Sequence, residues 1–242
     1  MLSHTKGIVL HFVKYGEHSI IATVYTEKFG RQSYIINSAR GKKALNKASM
    51  LQPLYLLDMV VYEKQSREVQ RLKESKASVV YHSLPFDIRK STQAIFIAEI
   101  LHKLLREEES NPELFNFIEN AACFLDMADK GVSNFHLFFL AKLTRFLGIF
   151  PHFKSGENDS FLDLKKGTTS KTEPPHTKFM DIEETRIFYK LVGINLKDLP
   201  ELSINRQVRI KLLGKILEYY SLHFDSMGEI KSLPVLKEVF NQ

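Results

Sequence analysis

Residues 7–26 read GIVLHFVKYGEHSIIATVYT, and this stretch decides the fold of the first part of the chain. Two runs rich in β-branched and aromatic residues, 7–15 and 19–26, flank the turn-forming sequence GEH. Such a pattern is typical of two adjacent strands joined by a tight turn. Three further strand-like segments follow, at residues 32–37, 54–63 and 67–72. Short strands linked by brief turns predict a small barrel or sandwich of about five strands within residues 1–80.

Apolar residues recur at helical spacing after residue 85, which predicts a helical second part of the chain. The predicted helices cover residues 88–109, 112–125, 133–147, 183–191, 205–224 and 234–240. Residues 152–182 lose this period and are rich in Gly, Ser, Thr and Asn, so we expect an irregular, exposed insertion there. Strands first and helices second indicate an α+β chain with two domains, residues 1–80 and residues 81–242.

Positive charge is concentrated in the first 80 residues. They carry 13 Lys and Arg against 6 Asp and Glu, whereas the rest of the chain carries 21 against 22. The densest basic run lies between two predicted strands, in residues 38–49, and consists of Arg40, Lys42, Lys43 and Lys47. A basic loop on a β scaffold suits a protein that follows a phosphate backbone, although exposed lysines often serve solubility alone.

Other cations and aromatic residues lie on the predicted strands that flank this loop. They are Lys6, Lys14, Arg31, His11, Phe12, Tyr15, Tyr25 and Tyr34. Barrels of the OB type hold single strands by stacking bases on aromatic rings while cations contact the phosphates. Because strand side chains alternate between two faces, we expect Phe12 and Tyr25 in the core. For Tyr15 and Tyr34 the pattern leaves core and surface equally open.

The predicted helix 133–147 carries two cations on one face. Lys142 and Arg145 are three residues apart, and Phe138 lies one turn before Lys142. Cations beside an exposed phenylalanine suit an acidic peptide with a hydrophobic end. The alternative is a core helix that carries two solvated charges.

Catalytic motifs are absent from the sequence. It contains no phosphate-binding glycine loop, no zinc-protease motif and no nucleophile elbow. His152 and His176 have no partner ligand at helical spacing, and the adjacent carboxylates of residues 107–109 point to different sides of a helix. We therefore predict no enzyme activity, no cofactor and no metal site. A single cysteine and the lack of an apolar signal or membrane-spanning segment predict a cytoplasmic protein.

Eight short motifs occur in order along the first 151 residues. They are GIVL at 7–10, YGEHS at 15–19, YTEKFG at 25–30, ARGKK at 39–43, LQPL at 51–54, AEIL at 98–101, ELF at 113–115 and LGIFP at 147–151. Their order and spacing resemble the RecO family of bacterial recombination mediators. The resemblance implies an N-terminal five-stranded OB-fold barrel, an all-helical C-terminal domain and a non-enzymatic role in recombinational DNA repair.

The resemblance also implies partners. Proteins like this bind single- and double-stranded DNA, anneal strands coated with single-strand-binding protein (SSB), and work with RecR to load RecA. The basic loop of the family matches Arg40, Lys42 and Lys43. The complete set of predicted DNA contacts is Lys6, Lys14, Arg31, Tyr34, Arg40, Lys42, Lys43 and Lys47. The family captures the acidic, Phe-ended tail of SSB on its helical domain, for which the candidates here are Phe138, Lys142 and Arg145.

One feature departs from the family pattern. Many relatives hold zinc with four cysteines after the Leu-Gly-x-x-Pro element, whereas residues 152–182 contain none, so we expect no zinc. Two other functions stay open at this stage, because a fold does not determine a function. The chain could be an RNA-binding or translation-linked OB protein, or a protein scaffold with an incidental basic loop.

Overall fold

The computed structural model describes residues 1–17, 19–37, 50–64, 66–106, 109–153 and 159–241. The predicted basic loop, with Arg40, Lys42, Lys43 and Lys47, lies outside these residues. The chain forms two compact units. The first consists of Met1–Met127 with Ile230–Leu236, and the second of Ala128–Glu229 with Lys237–Gln242. Among the described residues, no helix is both long enough and apolar enough to cross a membrane.

The first unit is built on a closed barrel of five strands. The strands are β1 (Leu2–Tyr15), β2 (Ser19–Thr26), β3 (Gly30–Asn37), β4 (Leu56–Tyr62) and β5 (Val69–Ala77). Their order around the barrel is β1-β2-β3-β5-β4, and β4 pairs with β1 to close it. All pairs are antiparallel except β3 with β5, which run parallel. This is the five-stranded architecture of an OB fold, as predicted.

The long first strand closes the barrel because it pairs on both sides. Its first half pairs with β4, its second half pairs with β2, and a bulge lies between Val9 and His11. At Gly7 the strand crosses the core at close range. A Cβ there would lie 2.5 Å from Met59 Sδ and 2.6 Å from Val24 Cγ1. Glycine is therefore the residue that allows this crossing.

The barrel core is formed by the inward side chains of all five strands and by residues that precede β4. The buried members are Val9, Ala22, Val24, Tyr34, Ile36, Leu51, Leu57, Met59 and Val61. Phe12 packs against this cluster, and Tyr25 is also buried, as we expected for both. Burying such apolar side chains contributes roughly 1.5–3 kcal/mol each, which makes this cluster the main stabilising feature of the barrel.

Two helices complete the first unit, α1 (Ile88–Leu104) and α2 (Pro112–Met127). The ring of His102 on α1 lies 4.7 Å from that of His11 on β1. Tyr25 on β2 and Phe115 on α2 stack with ring centroids 6.4 Å apart. The two helices therefore cover part of the outer surface of the barrel, which explains why the compact unit extends beyond residue 80.

The buried carboxylate of Asp126 fixes the end of α2 to the segment that follows the barrel. It accepts hydrogen bonds from the backbone N–H groups of His82, Ser83 and Leu84, at 3.0, 2.8 and 2.7 Å. The amine of Lys90 donates to the Asp126 carbonyl oxygen at 2.7 Å. These bonds satisfy a buried charge almost entirely with backbone donors.

The second unit is built around a buried helix. The helices are α3 (Phe135–Phe146), α4 (Ile182–Gly193) and α5 (Arg206–His223), and α6 (Leu233–Asn241) is divided between the units. Two short 3₁₀ helices cover Val132–Asn134 and Leu196–Glu201. Nearly every residue of α3 from Phe135 to Thr144 is buried, so this helix forms the centre of the unit.

The segment that we expected to be irregular contains a small antiparallel sheet. Its strands are β6 (Phe161–Asp163), β7 (Thr168–Ser170) and β8 (Phe179–Met180), in the order β7-β6-β8. Leu162, Leu164 and Met180 are fully buried, so the segment has a core of its own. Strands of two or three residues are too short for alternation to be visible in the sequence.

Candidate nucleic-acid interface

A row of outward side chains runs around the barrel in register. Consecutive cross-strand pairs link Val13 to Ile21, Ile21 to Ile35, Ile35 to Arg71, Arg71 to Tyr62 and Tyr62 to Leu2. We call these six residues the outer belt. The row begins and ends at different points of β1 because the strands of a closed barrel are staggered.

The outer belt is accessible although most of its members are apolar. Leu2, Val13 and Tyr62 are between 42 and 46% exposed, Arg71 is exposed, and Ile21 and Ile35 are half-buried. Monomeric proteins rarely expose a contiguous apolar surface without a partner. A belt that combines aliphatic groups, a tyrosine ring and a guanidinium offers stacking and phosphate contact together.

Exposed cations and one further ring lie beside the outer belt. Lys14 and Tyr15 follow Val13 on β1, and the ring of Tyr15 is 57% exposed. Lys73 is exposed at the bulge of β5, and its amine lies 3.8 Å from the exposed carboxylate of Glu74. Of these residues, sequence reasoning identified Lys14 but missed Tyr62, Arg71 and Lys73. The barrel register reveals them, because it shows that Arg71 and Tyr62 share the outward face.

Lys6 lies in a different environment from the outer belt. Its amine forms an ion pair with Glu119 at 2.9 Å, and this hydrogen bond raises the pKa of Lys6. Lys6 lines a cleft of about 530 Å³. The charged residues of the cleft include Lys6, Lys28, Lys76, Glu27, Asp58 and Glu74. Cations and carboxylates are balanced there, so the cleft does not have the charge pattern of a phosphate-binding surface.

Arg31 lies at the end of the barrel that the helices cover. It pairs with Tyr25 across β2 and β3, and it is half-buried. Burial first, and then the nearby charges of His11 and Arg31, lower the pKa of His102 on α1 from 6.5 to about 4. Arg31 therefore faces groups of its own chain, and its contact with DNA stays a prediction.

The structure contradicts the predicted DNA contact of Tyr34. Its side chain is fully buried in the barrel core, and burial raises the pKa of the phenol well above its ordinary value. A buried ring has no free face for a base to stack on. The prediction that Tyr34 contacts DNA is therefore wrong, because position 34 belongs to the inward face of β3.

The three residues proposed for an acidic tail have different surroundings. Phe138 is 2% exposed, so its ring is part of the core and the prediction that it binds a peptide is wrong. The Lys142 amine donates to the carbonyl oxygen of Val192 at 2.8 Å, and burial lowers its pKa. Arg145 is exposed, and its guanidinium carbon lies 4.7 Å from the ring centroid of Phe150. Arg145 is thus the accessible member of the three.

The described part of the chain contains no group of three or more His, Cys, Asp or Glu side chains that could hold a metal ion. His176 instead lies 3.4 Å from Asp163, and the backbone of His152 bridges to the β7 strand. Both histidines thus contact residues of the small sheet.

The fold and its surface define a class of protein: an OB-barrel protein with a helical extension and an accessible belt of cations and rings. Comparison with known families specifies the class further. The model for the N-terminal domain of recombination protein O matches residues 1–80, and the model for its C-terminal domain matches residues 85–234. The chain belongs to the RecO family, and this membership gives it a role in recombinational DNA repair.

Relatives named DNA repair protein RecO align with the chain over its whole length. The protein of Bacteroides fragilis is 36% identical over 242 residues and is covered completely, as is this chain. The protein of Azobacteroides pseudotrichonymphae is 35% identical over 241 residues, again with both chains covered completely. The protein of Flavobacterium psychrophilum is 36% identical over 239 residues, with 98% of each chain covered.

Proposed function

We propose that this chain is a non-enzymatic DNA-binding mediator of recombinational repair that acts in the cytoplasm on single- and double-stranded DNA. The observation that carries the proposal is the outer belt together with Lys14, Tyr15 and Lys73 beside it, because these residues place exposed rings and cations on an OB barrel. OB barrels of this kind bind single strands through stacking and backbone neutralisation. Membership of a DNA repair family supports DNA as the ligand.

Each group of the interface has a distinct role in this proposal. Lys14, Arg71 and Lys73 contact phosphates, and the released counterions make the affinity depend on salt. Tyr15 and Tyr62 present rings to unpaired bases, which gives binding without sequence preference. Arg40, Lys42, Lys43 and Lys47 lie outside the described residues and are proposed as further phosphate contacts because of their charge. Lys6 and Arg31 are secondary candidates, because both have neighbours within the first unit.

We further propose that the chain anneals strands coated with SSB and assists RecA loading together with RecR. An acidic tail ending in Phe requires a cation beside an apolar surface, and Arg145 next to Phe150 provides both. Lys142 supports Arg145 with a second positive charge on the same helix face. Under this proposal, Arg145→Glu abolishes binding of a tail peptide of SSB, and retained binding in a titration dismisses this site.

An RNA-binding or translation-linked function is the second candidate, since OB barrels bind both nucleic acids. Affinities for single-stranded DNA and RNA of the same sequence, measured side by side, separate the two. The DNA proposal predicts equal or tighter binding of DNA. A clear preference for RNA favours the alternative.

Strand annealing in the presence of SSB is the direct test of the mediator function. Two complementary oligonucleotides, each saturated with SSB, are mixed with and without the full chain, and duplex formation is followed by energy transfer between terminal dyes. The proposal predicts annealing that depends on the protein. The same rate with and without the chain contradicts the mediator function, even if the protein binds DNA.

A further inference from the structure

Three aromatic side chains of the second unit, two exposed and one half-buried, form a group that the barrel proposal does not use. The rings of Phe150 and Phe153 lie 6.0 Å apart at 69°, and those of Phe153 and Tyr189 lie 4.9 Å apart at 67°. Phe150 is 40% exposed and Tyr189 is 57% exposed. We call these three rings the aromatic platform. A cluster of exposed rings is a candidate surface for binding a partner.

The segment that carries Phe150 and Phe153 is held in place by its backbone. The carbonyl oxygen of Ile149 accepts a hydrogen bond from the Tyr219 hydroxyl at 2.7 Å. The N–H of His152 donates to the carbonyl oxygen of Gly167 at 2.7 Å. Both rings therefore project from a fixed stretch of chain, so little conformational entropy is lost when a ligand binds them.

Tyr189 projects from helix α4, which also has a fixed position. Helix α4 begins with a capping box formed by Asp181 and Glu184. Phe188, the neighbour of Tyr189, is fully buried, and its ring lies 6.4 Å from that of Phe153. The platform thus rests on a buried ring, and its exposed faces have defined positions.

Two exposed cations accompany the platform, one over the Phe150 ring and one next to Tyr189 in the sequence. The guanidinium of Arg145 lies 4.7 Å from the Phe150 centroid, and Lys190 is exposed next to Tyr189. Within the described residues, no carboxylate lies within 4.0 Å of the Arg145 guanidinium. Arg186 on the same helix is neutralised by Asp159 at 2.6 Å. The charge at the rings is therefore positive, and it complements a polyanion.

We propose that the aromatic platform binds unpaired bases of a single-stranded nucleic acid, with Arg145 and Lys190 on its phosphates. Rings that protrude beside cations are the arrangement on which successive bases stack. Arg145 and Phe150 also form the proposed tail site, so a single strand and the acidic tail would compete for this surface. This second contact goes beyond the barrel site and does not depend on the outer belt.

Binding of a fluorescein-labelled oligo(dT) to the full chain tests the platform. Tyr189→Leu removes the aromatic face but keeps an apolar side chain, and Tyr189→Phe keeps the face. Loss of one stacked base predicts about fivefold weaker binding or more for Tyr189→Leu. Tyr189→Phe should bind like the unaltered chain. Phe86→Leu removes an exposed ring from the first unit and serves as the control, with no expected change.

The outcomes separate this proposal from the barrel function. If the unaltered chain binds oligo(dT) and Tyr189→Leu binds it equally well, the platform is excluded while the barrel function stands. If Tyr189→Leu loses affinity and Phe86→Leu does not, the platform is supported. If Tyr189→Leu leaves oligo(dT) binding intact but abolishes binding of an acidic peptide that ends in Phe, the surface is a peptide site and the proposal is overturned. Unchanged circular dichroism and melting temperature establish that each variant is folded.

Discussion

Arg71 of β5 lies directly opposite Tyr62 of β4 in the antiparallel register, and both side chains face solvent. On its other side Arg71 pairs with Ile35 of β3. A guanidinium between a tyrosine ring and an aliphatic group combines the two kinds of contact that a single strand requires. This relationship makes the middle of the outer belt the strongest DNA candidate among the described residues.

The basic loop should contribute to affinity through charge alone. Replacing Lys42 and Lys43 together by alanine is expected to weaken single-strand binding for every sequence. The plot of log binding constant against log salt concentration should also become less steep, by roughly 1–2 units of slope. About 0.7 counterions are released per phosphate contact, and two contacts are removed. A salt titration measures both quantities, and an unchanged slope excludes the loop as a DNA site.

Tyr34→Phe should leave DNA binding unchanged and should not destabilise the barrel. The Tyr34 hydroxyl is buried and has no hydrogen-bond partner among the described residues. Removing a buried, unsatisfied hydroxyl is expected to raise the free energy of unfolding by about 1 kcal/mol. Urea denaturation and an oligonucleotide titration of the same variant check the two statements. A loss of DNA affinity with unchanged stability would contradict the burial of this ring.

Asp126→Ala should be one of the most destabilising substitutions in the first unit. It leaves the N–H groups of His82, Ser83 and Leu84 without their acceptor, at an expected cost of about 3 kcal/mol. Burial opposes ionisation of Asp126, but the backbone hydrogen bonds prevail and lower its pKa. Its contribution is therefore present at neutral pH and is lost as the pH falls through the folded-state pKa. Denaturation of Asp126→Ala and of the exposed control Asp129→Ala provides the comparison.

The stability of the first unit should fall in mild acid because of His102. Burial first, and then the charges of His11 and Arg31, lower its pKa from 6.5 to about 4. Between these pH values the unfolded chain binds a proton that the folded chain does not. The free energy of unfolding therefore decreases by at most about 1.4 kcal/mol per pH unit as the pH falls from 6.5 towards 4. His102→Gln should flatten this part of the pH profile, and an identical profile for both proteins would contradict the burial of the ring.

The strand and helix patterns predicted most of the fold because they depend on local periodicity. The second strand, residues 19–26, was predicted with the bounds that the structure has, since turns delimit it on both sides. The first strand is longer than the prediction, because residues before Gly7 pair with β4, which a local pattern does not show. The sheet of β6, β7 and β8 was missed because its strands have only two or three residues, too few for an alternating pattern to be recognised.

The candidate interface was less predictable than the fold. Whether Tyr34 faces inwards depends on the register of β3 with both β2 and β5. The alternation of side chains along the strand did not decide whether this residue lies in the core or on the surface. The outer belt becomes visible only when the registers of all five strand pairs are known. Phe138 shows the same limit in a helix: its spacing from Lys142 is helical, but only packing reveals that its ring is buried.

Single-strand affinity of a belt variant tests the central proposal most directly. The variant Arg71→Ala/Lys73→Ala removes the exposed cation of the belt and the exposed cation beside it, and Lys28→Ala/Lys76→Ala removes two cations of the charge-balanced cleft as a matched control. Oligo(dT) affinity is measured from low to high salt for both and for the unaltered chain. We expect the belt variant to bind at least about fivefold more weakly at low salt. The slope of log binding constant against log salt concentration should decrease by roughly 1.4, and the control should be unchanged. Equal losses in both variants, or no loss in the belt variant, would contradict the proposal that the outer belt holds the strand.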